Sequence, residues 1–130
     1  MTRKAYTGEI VSSSGPYSHA IDSGDMIYFS GQTAYNGVDY QGEKYDIKTQ
    51  AVKCFEHLQS VMQKAGVGLD QVVKVNVYLT SMAHFDEMNA VYKQMFTEPY
   101  PARTCVAVLA LPLEADIEID PSITATCNSY

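Results

Sequence analysis

One arginine and one glutamate carry the most suggestive chemistry in this sequence. Arg103 stands in the run Pro101-Ala102-Arg103-Thr104-Cys105-Val106-Ala107-Val108, which otherwise reads as a buried strand. A guanidinium in such a place needs a partner, and a carboxylate that takes both forks of the group is the usual one. The chain itself offers Glu118, on the strand-like run Asp116-Ile117-Glu118-Ile119-Asp120. The other partner is a ligand. An arginine that holds a substrate carboxylate leaves Glu118 available to work as acid and base beside it. An ion pair and a carboxylate site are both open on these residues alone.

Other chemistries find little support. Cys54, Cys105 and Cys127 are far apart, form no CxxC pair, and make no metal-ligand spacing with His19, His57 and His84. No Ser or Cys has a His at a spacing that predicts a nucleophilic triad. Nine basic residues against fifteen acidic ones give a net charge of −6, and Arg3-Lys4 is the only adjacent basic pair. Strong nucleic-acid binding is therefore not expected. No apolar run approaches the roughly 18 residues of a membrane helix, and no h-region follows the charged N-terminus. With 46% hydrophobic residues over 130 positions, the sequence reads as one folded domain spanning 1–130, in a reducing, cytoplasmic compartment.

The elements that must position Arg103 and Glu118 follow from periodicity. Residues 20–32 carry a hairpin signal, with the turn Ser23-Gly24-Asp25 between β-forming flanks. Residues 35–45 are polar and tyrosine-rich, an exposed loop or short hairpin. Asp46 can cap a helix that runs to Gly66, with Ile47, Ala51, Cys54, Phe55, Leu58, Val61, Met62 and Ala65 on one face. A strand follows at Val72–Leu79, where Val73, Val75, Val77 and Leu79 share one side. Thr80 or Ser81 can cap a second helix, with Phe85, Met88, Tyr92, Met95 and Phe96 inward, ending before Pro99. Two strands close the chain at about 103–110 and 116–126. On the last, Ile117, Ile119 and Ile123 share one side, and Asp116, Glu118 and Asp120 the other. Two helices cover one face of such a sheet. Its other face is polar and open, which suggests oligomerisation.

Six stretches, in order, resemble the RidA (YjgF) family. They are Gly15-Pro16-Tyr17-Ser18-His19-Ala20, Phe29-Ser30-Gly31-Gln32, Val73 to Leu79, Phe85 to Tyr92, Pro101-Ala102-Arg103 and Ile117-Glu118-Ile119. The resemblance implies an α+β, chorismate-mutase-like domain, with two helices on one face of a mixed sheet. It also implies a homotrimer with a central barrel and clefts between subunits. The implied reaction is hydrolysis of reactive 2-imino acids, which arise from 2-aminoacrylate and related enamines, to 2-keto acids and ammonia. No cofactor or metal is implied.

Residue by residue, Arg103 matches the family's carboxylate-binding arginine and Glu118 the acidic residue that activates water. Tyr17, Ser30 and Gly31 match motifs that line the cleft: Tyr17 to cover the substrate or hydrogen-bond its imine end, Ser30 to orient water or substrate, Gly31 to present its N–H. Tyr17 reads equally as a surface aromatic on a neighbouring subunit, and Ser30 as a backbone cap. Asn89, on the second helix, is expected either to contact the substrate or to support Arg103 or a loop through its amide. Cys105 is expected to offer its backbone carbonyl to the substrate, its thiol serving as a small hydrophobe. His19, where the family commonly has glutamine, reads as a pH-sensitive interface group or an exposed one.

The chain departs from the pattern at Thr33-Ala34, in the tyrosine-rich loop, in the polar tail, and at Leu111 to Asp116, which lacks a glycine often found there. These leave side-chain preference open. Beside the enzyme stands a non-catalytic trimer, regulatory or chaperone-like, that binds a small carboxylate through Arg103. Ribonuclease or translation-inhibitor action fits the acidic balance poorly. Ten tyrosines also leave room for a protein-binding patch.

Overall fold

The computed structural model describes residues 3–8, 15–36 and 44–125. They form six strands and two helices: β1 (Lys4–Tyr6), β2 (Ala20–Asp22), β3 (Met26–Phe29), α1 (Ile47–Ala65), β4 (Val72–Leu79), α2 (Phe85–Met95), β5 (Ala102–Ala107) and β6 (Ile117–Thr124). The strands make one sheet in the order β1-β2-β3-β6-β4-β5. Only β4 and β5 run parallel, because α2 carries the chain back between them. The fold is mixed α+β, as the alternation of patterns predicts.

Both ends of α1 fall where the sequence places them. Asp46 accepts a hydrogen bond from Thr49 N at 2.8 Å, and Gly66 sits at φ 74°, where a side chain would be disfavoured. Ala51, Cys54, Phe55, Leu58, Val61 and Met62 are buried against the sheet. Gln50 and His57 join them, although polarity alone would put them outside. Each is hydrogen-bonded there: Gln50 to Tyr45 O and Asp116, His57 Nδ1 to Thr33 O. Ser81 caps a short 3-10 turn that leads into α2, whose Met88, Val91 and Tyr92 are buried.

The core lies between the helices and one face of the sheet. Val75, Val77 and Leu79 of β4 meet Ile117, Ile119 and Ile123 of β6, all fully buried. Val73 does not share their side as its spacing predicts. A register shift between Val72 and Lys74 turns Val72 inward and leaves Val73 44% exposed. The first of the two closing strands also differs from expectation. β5 is an edge strand with mostly exposed residues rather than a buried one, and ends at Ala107. β6 keeps the predicted alternation, with Glu118 and Asp120 on the face away from the helices. Three residues near the N-terminus add β1, too short to announce itself by period. Most of the tyrosine-rich loop and the tail after Ala125 lie outside the described residues. Among the described residues no helix is long and apolar enough to cross a membrane.

Candidate functional site

Arg103 faces the helices. Its Cα partner across the ladder is Val75, a core residue, so period two aims the guanidinium at α2. There it donates to Asn89 Oδ1 at 2.6 Å and lies over the Tyr92 ring, 4.6 Å from the centroid, with Phe85 at 5.5 Å. Among the described residues no carboxylate pairs with it. The group borders an open cleft of about 430 Å³ shared with Lys93, Tyr100 and Pro101. Such a cation, stacked and held from behind, keeps part of its fork for an anion. The sequence expectation that Asn89 supports Arg103 describes this contact. The stacking on Tyr92 was not legible, since Tyr92 reads only as one more apolar-stripe residue.

Glu118 lies on the other face of the sheet. It is in register with Tyr78, on the side of β4 turned away from the helices. Burial and then the nearby Asp120 carboxylate push its pKa above the ordinary value. It borders a second cleft, of about 360 Å³, with Tyr17, Ser30 and Gly31. Gly31 approaches so closely that a Cβ there would run into the Glu118 carboxylate. The structure thus brings together Tyr17, Ser30, Gly31 and Glu118, and separately Arg103 and Asn89. It does not bring Arg103 to Glu118 within one chain. The internal ion pair is ruled out by register: the two residues occupy opposite faces.

The remaining expectations divide. The Ser30 hydroxyl donates to Ser18 O at 2.6 Å, a backbone tie that leaves its lone pairs for a second donor. Tyr17 is 43% exposed at the rim of the Glu118 cleft. Cys105 is half-buried against the core, and burial raises its thiol pKa despite the pull of Arg103, so it packs as a hydrophobe. His19 is neither exposed nor at a surface: it is 1% exposed, and its Nδ1 accepts from Gly8 N at 3.2 Å. Gln32 pairs with Ile119 and is fully buried, which places it behind the cleft rather than in it. Thr33, Asn36, Pro112 and Leu113 line the Glu118 cleft; none was assigned to the site by name, although all lie in the segments that depart from the family pattern. The missing glycine between Leu111 and Asp116 was the available signal for the last two. Among the described residues no three His, Cys, Asp or Glu side chains gather as metal ligands.

Against known proteins, the family model described as Endoribonuclease L-PSP matches residues 7–126. The chain belongs to the RidA (YjgF) family. RutC family protein y4sK of Sinorhizobium fredii is 39% identical over 112 residues, 86% of this chain and 89% of that one. A protein of Dermatophagoides farinae named 2-iminobutanoate/2-iminopropanoate deaminase is 35% identical over 106 residues, 82% of this chain and 83% of the other. Among solved structures, TdcF of E. coli with bound serine superposes with a TM-score of 0.85 at 30% identity, covering 93% of this chain and 98% of its own. The family's fold is therefore this chain's fold.

Proposed function

We propose that this RidA-family chain hydrolyses small 2-imino acids to 2-keto acids and ammonia, in sites that two copies complete. The observation that carries the reading is the separation just described. A carboxylate-binding arginine and a carboxyl whose pKa burial raises border different clefts of one chain. They serve one substrate only if the Arg103 cleft of one copy closes on the Glu118 cleft of another. The sheet offers a surface for such closure, since Tyr28, Val73 and Val106 are exposed along or beside its helix-free face. A homotrimer closed around those faces is the assembly we propose.

In this site Arg103 takes the substrate carboxylate with two parallel hydrogen bonds, and Asn89 fixes the fork. Glu118 accepts a proton from water as its oxygen adds to the C=N carbon, giving a tetrahedral carbinolamine. The same carboxyl returns the proton to nitrogen, ammonia leaves as the C=O bond forms, and the hydroxyl proton passes through the freed carboxylate to the departing ammonia. A carboxyl whose pKa is already raised suits both halves of that exchange. Gly31 leaves room for the carboxyl to sit against the backbone. The deaminase of D. farinae supports the reaction class.

The serine in TdcF supports a second reading, a binder of small amino or keto acids. A binder needs Arg103 and has no use for Glu118. Imines generated in situ from amino acids by an oxidase and trapped with semicarbazide separate the two. Suppression of the adduct by wild type, lost in both Arg103→Ala and Glu118→Gln, is the result expected of an enzyme. Retention of suppression in Glu118→Gln would remove the acid–base role.

A further inference from the structure

Leu113 and Glu114 hold successive left-handed backbone conformations, φ 59° and 58°, in a chain segment without glycine. Residues with side chains adopt this region rarely, and two in a row persist only where the surroundings impose it. Here they do. Ala115 is buried against Ala34 and Tyr35, its N–H returns to Pro112 O at 3.1 Å, and Asp116 is tied to Gln50, Thr80 and Lys44. The turn cannot relax without breaking that anchor. Its consequence is that Leu113 is displayed at the mouth of the Glu118 cleft, 51% exposed, with Pro112 beneath and Tyr17 sharing the rim.

Two of the hydroxyls that line this cleft are tied within the chain. Ser30 directs its hydroxyl hydrogen to Ser18 O, and Thr33 directs its own to Asn36 Oδ1 at 2.6 Å. Beside the Glu118 carboxyl, the apolar surface that lines this cleft comes from the Tyr17 ring, the Pro112 ring and the Leu113 isobutyl group. We propose that Leu113 is a specificity-determining residue, forming an apolar wall that favours 2-imino acids with extended or branched aliphatic side chains over the smallest ones. This rests on the imine-hydrolase reading above and names its substrate class.

The test compares wild type with Leu113→Asn and Leu113→Met. Asparagine tolerates the left-handed backbone and removes the apolar wall, whereas methionine keeps an apolar wall. The imines are generated in situ from leucine and from alanine, and kcat/KM is measured for each. In parallel, calorimetry gives the affinity for 4-methyl-2-oxopentanoate and for pyruvate, which requires no turnover. Wild type is expected to prefer the leucine-derived imine. In Leu113→Asn that preference falls about tenfold or more, while the alanine-derived imine changes within about threefold. Leu113→Met keeps the preference. Equal treatment of both imines by wild type, or an equal loss on both in Leu113→Asn, overturns the proposal. If wild type turns over neither imine, the hydrolase reading fails, and the affinities then decide Leu113. A preference for the longer keto acid that disappears in Leu113→Asn upholds the wall, and equal or absent binding refutes it.

Discussion

Asn89 decides where the Arg103 fork points, and its effect is separable from catalysis. A hydrogen bond to a charged group contributes about 1.5–3 kcal/mol, so Asn89→Ala should raise KM by about ten- to a hundredfold with little change in kcat. Asn89→Asp sets a fixed carboxylate against the guanidinium, competes with the substrate, and should raise KM further. A merely structural asparagine would not give that order. At Gly31, alanine meets the far end of a flexible side chain, so the fold should survive while Glu118 is displaced. Gly31→Ala is expected to keep its Tm and lose most of kcat. Glu118 itself makes a pH prediction. Burial, reinforced by Asp120, makes the folded chain hold this proton more tightly than the unfolded chain does. Stability contributed here is fully present below the ordinary 4.5 and is lost as pH rises through the raised value. Glu118→Gln should match wild type in denaturant midpoint at low pH and exceed it above that window. The acid limb of kcat/KM should likewise lie above 4.5 in wild type and vanish from any residual activity of Glu118→Gln.

At the scale of elements, the helices support the Arg103 side from behind. Phe55 of α1 meets Tyr92 and Phe96 edge-on, at centroid distances of 6.1 and 5.7 Å, and Tyr92 in turn carries the guanidinium. Met88, fully buried on α2, tests that support without touching the cleft. Met88→Ala should cost about 2–5 kcal/mol in chemical denaturation. Asp46→Ala removes the α1 cap and should lower Tm while leaving KM unchanged. These elements were legible because long periodic segments carry their own signal. The Asp46–Gly66 helix and the Val72–Leu79 strand stand where spacing put them. Glu118's face was legible as well, because Ile117, Ile119 and Ile123 alternate with it. Arg103's face was not, since Ala102 to Ala107 do not alternate in polarity and only pairing with Val75 sets their direction. The bulge at Val73 escaped for a related reason: both valines suit either side. His19 and Gln32 are buried by packing of segments distant in sequence, which no local period records.

For the whole molecule, one sheet carries two clefts on opposite faces and leaves exposed apolar side chains along or beside its uncovered one. In the proposed closed ring of identical head-to-tail contacts, each contact would join one copy's Arg103 cleft to the next copy's Glu118 cleft. The same logic makes the two half-sites genetically separable. Arg103→Ala and Glu118→Gln chains, each inactive alone, are denatured together, refolded as mixed assemblies and assayed for imine hydrolysis. With equal amounts and random assembly, about a quarter of the sites receive both intact groups, and activity should return to about that fraction of wild type. A mixture as inactive as its parents, in assemblies shown to contain both chains, would contradict a site shared between copies.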